Sequence, residues 1–357
     1  MTASKTPESL AGALYPYRPV GGHAGLPIGE QRPKIDRKRR LSICLTMIPM
    51  SSTLAETLER LKTAYPQRGV VSTAPAAKWD FGTVVGNGVQ GALAFGRTRY
   101  EEMVLSHEQM FLPLFPFPGY LPVKEHYQAI RQLVIDGRTD QAQQLVRKLK
   151  IEGDFPPYNT TDPFVGSCSL DLRMAEGSRA ADYIRSVDFA TGEAMVAWRD
   201  VTGLFHRQFF VSRADDALIV RLRSPVGDRL NLTLGLREID YQPPTDPSDH
   251  DIYAKTIDHC QGQVSPTRLI HEMHFKHRWH SQPVFGCGTV GRVVLQGGSA
   301  EADRTQLRIR DAEELLLLIR TVPFRNGEAV DIDAVGDALD DIAPDYDALL
   351  AEHAAIH

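Results

Sequence analysis

Between Trp79 and Thr321 the chain is a series of short apolar runs with turn residues between them. Leu230, Leu232, Leu234 and Leu236 alternate with polar or small residues, the period-2 pattern of a strand with one buried face. Residues 217–223, 289–296, 305–310 and 315–321 predict four more strands. Met195 and Ala197 on one side of Thr202-Gly203, and Phe209–Val211 on the other, predict a hairpin. Strands spaced 8–12 residues apart imply an antiparallel sandwich rather than βαβ units.

Helical spacing is confined to three places. Leu54, Leu58 and Leu61 share a face over 53–65. Residues 124–149 read as a helical pair: Ile130, Leu133 and Val134 share a face, and Gly137 sits where a C-cap belongs. A closing pattern over 332–356 breaks near Pro344. Residues 243–265, rich in Pro, Asp and His, read as a long loop. The expected fold is mainly β, an antiparallel sandwich with an inserted helical pair and a C-terminal linker helix. The expected organisation is a tail over 1–76 with one helix near 53–65, a sandwich over 77–328, and a helical linker over 329–357.

Composition narrows the function classes. The chain has 357 residues, 42% hydrophobic and 24% charged, which excludes a mostly disordered polymer. A net charge of −5 offers no bulk attraction to nucleic acid or to an anionic membrane, so neither is an expected partner. The basic cluster Arg37–Arg40 precedes an apolar run, Leu41–Met50, that is far shorter than the roughly 20 residues of a membrane span. This stretch reads as a tail, or as sequence upstream of a start at Met47 or Met50; a cytoplasmic location is the expectation. Cys44, Cys168, Cys260 and Cys287 are widely spaced, with no CxxC pair, so neither a disulfide framework nor a zinc ribbon is implied. Asn159 and Asn231 begin glycosylation sequons, read as chance matches without a secretion signal.

Gly86-Asn87-Gly88-Val-Gln-Gly91 matches GxGxxG, but the run after it, Ala92–Gly96, suits a strand. The motif therefore reads as an Asn-Gly turn, not a dinucleotide site. His271, His274, His277 and His280 recur every third residue. On a strand such a series alternates between faces, so the expectation is a structural role and no metal. No GxSxG or SxxK nucleophile motif occurs, and no cofactor is expected. Asp340-Asp341 reads as a solvated helix face. Phe111, Phe115, Phe117 and Tyr120, set among prolines, read as a rigid apolar loop.

One arrangement points to a family. Trp79, then Gly86-Asn-Gly88-x-x-Gly-Ala92, Phe95-Gly96 and Leu105-Ser-His-Glu108 resemble the amino-terminal domain of glycoside hydrolase family 95, the α-L-fucosidase family. Ile130–Arg138, Tyr183–Ala194, Phe205–Arg213 and Tyr346–His353 continue the resemblance in order. It implies a β-sandwich and helical linker leading into an (α/α)6 barrel that supplies the catalytic carboxylates. No catalytic residue is carried over to this chain. The implied partners are that barrel and a glycan. Asn87, His107 and Glu108 are the residues nominated for the cleft or the interdomain face. A free-standing carbohydrate-binding or scaffold protein is the alternative.

Overall fold

A computed structural model describes residues 66–113, 121, 123–153, 162–175, 179–225, 227–239, 256–276, 284–325 and 330–357. These fall in one compact unit, Met50–His357. The helix expected at 53–65, Asn159, and Phe115, Phe117, Tyr120, His277 and His280 lie outside the described residues.

In chain order the strands are β1 (Gly69–Ser72), β2 (Thr83–Gly86), β3 (Gln90–Ala94), β4 (Tyr100–His107), β5 (Cys168–Met174), β6 (Asp182–Asp188), β7 (Ala194–Asp200) and β8 (Gly203–Val211). They continue with β9 (Leu218–Arg223), β10 (Leu230–Arg237), β11 (Ile257–Ser265), β12 (Arg268–Phe275), β13 (Val284–Gln296), β14 (Ser299–Asp303), β15 (Gln306–Ala312) and β16 (Glu314–Arg325). The helices are α1 (Tyr127–Ile135), α2 (Thr139–Glu152), α3 (Ile332–Asp340) and α4 (Tyr346–Ile356).

The strands form two antiparallel sheets. One runs β1-β6-β7-β8-β9-β16-β13-β12-β11 and the other β14-β15-β10-β5-β4-β3-β2. The four alternating leucines of β10 are all buried and meet Trp198, Phe209 and Val211 from the opposite sheet. That facing of two apolar sides is what makes the sandwich core.

The nine-stranded sheet is covered on both faces. From β16, Leu315, Leu317 and Ile319 point into the sandwich, while Leu316 and Leu318 point outward onto Leu339, Tyr346 and Leu349 of the two C-terminal helices. Continuous apolar runs in β9 and β16 follow from burial on both sides. Asp331 caps α3 through the Asp333 and Ala334 amides, and Asp345 caps α4 through those of Asp347 and Ala348. Asp340 does not lie on a merely solvated face: it accepts from Arg268 at 2.6 Å and pairs with Arg292 at 3.2 Å, tying α3 to β12 and β13.

The α1–α2 pair forms as the spacing predicts. Gly137, at φ 72°, ends α1, and the Arg138 amide donates to the Leu133 carbonyl at 2.8 Å. Val134 is exposed, however, and only Ala142 and Leu149 of the pair are buried.

Two stretches differ from expectation. Part of the 243–265 loop is strand β11, paired along its length with β12. It is an edge strand whose side chains are mostly exposed, so polar residues fill it and no apolar alternation marks it. β1, inside the stretch read as tail, pairs with β6 at the opposite edge.

Candidate functional site

The GxGxxG motif is a turn between β2 and β3, with Gly88 at φ 99°. Asn87 uses every group of its side chain there. Its Oδ1 accepts from the Val89 and Gln90 amides at 2.9 and 2.8 Å. Its Nδ2 donates to the Ser212 carbonyl at 3.0 Å and to Asp216 Oδ1 at 2.7 Å, in the β8–β9 turn of the other sheet. Gln90 repeats the crossing: its Nε2 donates to the Asp216 carbonyl, and its Oε1 accepts from the Thr321 amide, both at 2.6 Å. Arg320 donates to the carbonyls of Asp215 and Asp216, and Asp216 sits at φ 50°.

His107 and Glu108 follow one another at the end of β4 and face opposite ways. His107 is buried, and its Nδ1 accepts from the Gln109 amide at 3.2 Å. Burial pulls its pKa below the ordinary value, against the opposing pull of Glu108 and Asp216. Glu108 is exposed, with its amide donating to the Val89 carbonyl at 2.8 Å. Asn87 and His107 are thus brought to the same turn, and Glu108 lies on the surface beside it.

The network continues into α4. The Arg213 amide donates to His353 Nδ1 at 3.2 Å, and the His353 ring stacks between Phe210 and His357 at 4.9 and 5.4 Å. The Tyr346 hydroxyl donates to Glu193 Oε1 at 2.8 Å, and the same oxygen accepts from Gln208 at 2.9 Å. Burial raises the Glu193 pKa. The Arg221 guanidinium lies 3.8 Å from the centre of the Tyr346 ring. This end of the sandwich joins two turns, two sheets and a helix through a chain of hydrogen bonds and ring contacts. Its chemistry is that of a clamp that fixes α4.

A cleft of about 280 Å³ opens at the other edge, between β10, the β11–β12 hairpin and the β14–β15 turn. Arg237, Gln261 and Gln306 border it, and His271 lies at its wall. His271 is 3% exposed, and its Nδ1 has no hydrogen-bond partner. Burial pushes its pKa down to about 4, so the ring is neutral at neutral pH. Its neighbour in the series, His274, lies on the other face of β12, half-buried beside Glu272 at 3.3 Å.

Among the described residues there are three thiols, of which Cys260 borders the cleft. Cys168 and Cys287 are fully buried and Cys260 half-buried. Burial pushes Cys168 and Cys260 up to about 12 and raises Cys287 as well, so all three are protonated and poorly nucleophilic. Among the described residues, no group of three or more His, Cys, Asp or Glu is arranged to hold a metal ion.

A model of the glycosyl hydrolase family 65 N-terminal domain matches residues 70–322, from β1 into β16. The chain belongs to this family. The fold and the glycoside-hydrolase association implied by the sequence motifs stand, but the family is 65, not 95, and the match lends no support to a fucoside substrate. A solved structure of a putative kojibiose phosphorylase from the human microbiome is similar to this family 65 domain at 10% identity with a TM-score of 0.43. The likeness covers 82% of this chain and 38% of that one, so the domain spans well under half of that protein. No curated protein sequence matches.

Sequence reasoning nominated residues from the turn of the family 65 domain and missed the cleft at its other edge. His271 was visible only as one member of a periodic histidine series. The cleft itself depends on where β15 stops pairing with β10, which no local pattern reports.

Proposed function

We propose that this family 65 domain is a non-catalytic sandwich module that positions a helical catalytic domain acting on glycans. The observation that supports it best is the use of the outer face of the nine-stranded sheet. α3 and α4 follow β16 directly and bury Leu339, Tyr346 and Leu349 on it, so the chain leaves the sandwich as a firmly anchored helix. Asn87, His107 and Glu108 lie on or beside the clamp that fixes that helix, and the exposed Glu108 carboxylate is the group of the three that can reach a docked domain.

The (α/α)6 barrel and a glycan are the partners in this reading. The three described thiols, none of them in a disulfide, support a reducing compartment such as the cytoplasm. No helix among the described residues is long and apolar enough to cross a membrane. The test is to read about a kilobase of the source DNA beyond codon 357 in all frames. A helical domain with acidic residues is expected there, in the same or a neighbouring frame. Its absence would remove the positioning role and leave a free-standing binding protein.

A further inference from the structure

We infer that the cleft between β10 and the β11–β12 hairpin is a binding site for a small, neutral, polyhydroxylated molecule, about one sugar ring in size. This goes beyond the positioning role above and does not rest on it, because every group involved belongs to this chain.

The cleft exists because one sheet edge is left open. On one side β10 pairs with β5 through Arg237↔Ser169. On the other, its pairing with β15 stops at Leu234↔Leu307. Among the described residues no strand pairs with Leu236 or Arg237 on that side, while Thr305 and Gln306 lie beside Gly235, and the cleft opens there between the two sheets. Gly235 is required there: a Cβ would stand 2.9 Å from the Thr305 carbonyl of the adjacent turn.

His271 marks the inner end. It belongs to the inward row of β12 with Leu269, Met273 and Phe275, all buried; the residue borders the cleft, and its buried Nδ1 has no hydrogen-bond partner. A neutral imidazole presents one donor and one acceptor, the pair of functions that a hydroxyl group complements.

Asp171, Arg173 and Arg237 at the mouth are already spent on charge pairs, and Glu238 stands exposed beside them. Asp171 accepts from Arg237 Nε at 2.8 Å and from Arg173 at 3.3 Å, and Arg237 also reaches Glu102 at 3.2 Å. An anionic ligand would have to break these pairs and meet the Glu238 carboxylate. The amides of Gln261 and Gln306 and the Thr305 hydroxyl, which also border the space, suit hydroxyls. At about 280 Å³ the cleft lies just under the roughly 300–1,000 Å³ of drug-sized sites, which sets the size of the occupant.

The test titrates the full chain with glucose, galactose, mannose and myo-inositol, and with inorganic phosphate and glycine as charged controls, by ligand-observed NMR. Saturable binding of at least one neutral compound is expected. Gln306→Trp, an exposed change that plugs the mouth, and His271→Phe, which removes the ring nitrogens, should each weaken it about tenfold. The proposal is overturned if no neutral compound binds, leaving the histidine nitrogen to water. It is equally overturned if phosphate or glycine binds more tightly, or if Gln306→Trp, which leaves the core untouched, does not weaken binding.

Discussion

The Glu101 carboxylate lies 2.5 Å from the Arg207 guanidinium, and both side chains are fully buried between the two sheets. Glu101 also accepts from the amides of Phe95, Gly96 and Glu102, and Arg207 donates to the carbonyls of Arg97 and Thr98. The guanidinium lies 5.2 Å from the centre of the Trp198 ring. Burial opposes ionisation of both groups and their mutual attraction favours it. The pair fixes the β3–β4 loop to β8 and so sets how the sheets face each other. Arg207→Met should cost about 3–5 kcal/mol in denaturant unfolding, because it strands a buried carboxylate. The double change Glu101→Leu, Arg207→Met should recover little of that loss, because it strands the amides of Phe95, Gly96 and Glu102 and the carbonyls of Arg97 and Thr98.

The Asn87 clamp makes a sharper prediction about atom identity. Asn87→Asp replaces the Nδ2 donor with an oxygen against Asp216 Oδ1, now 2.7 Å away. It should lose about 1–3 kcal/mol at pH 7, more than Asn87→Ala. Asp216→Asn should restore much of the loss by supplying the missing donor. Denaturant midpoints of the three variants check this.

Burial of His271 as a neutral ring predicts a pH dependence. Its folded pKa is about 4 and its unfolded value about 6.5. Between these the unfolded chain binds more protons, so stability rises with pH. The contribution is complete above pH 6.5 and is lost as pH falls towards 4, at most about 3 kcal/mol. His107 and His353, also pulled down by burial, act in the same direction. Glu101 and Glu193, pulled up, act oppositely above pH 4.5. Unfolding free energies of the wild type minus those of His271→Gln, taken from pH 4 to 8, isolate the one histidine.

Helix α4 should be separable from the sandwich. A Cβ at Gly192, where φ is 70°, would stand 2.8 Å from His353 Nε2. Gly192→Ala should therefore loosen α4, and Tyr346→Phe should do so by about 1 kcal/mol through loss of the bond to Glu193. Hydrogen exchange over 346–356 should accelerate in both, while the amides of β8 and β9 stay protected.

The fold was legible where burial imposes a period. The leucine alternation in β10 and the apolar run of β16 each state which faces are covered, and the Asn-Gly turn and the helical breaks at Gly137 and Pro344 are local chemistry. β11 was hidden because a mostly exposed edge strand carries no apolar alternation and is held chiefly by its pairing with β12. The Glu101–Arg207 bridge was hidden for a different reason: its partners are far apart in the chain, and each looks like an ordinary surface charge. Asn87 was found through its turn, but its reach to Asp216 is a property of two sheets meeting.

The central claim is that this chain positions and binds rather than cleaves. The direct measurement is to incubate the purified chain with a panel of aryl glycosides and disaccharides, with and without inorganic phosphate, and follow product formation over hours. The account predicts no turnover above the uncatalysed background. Turnover by the chain alone that disappears in Glu108→Gln would contradict it, by placing the chemistry on the sandwich itself.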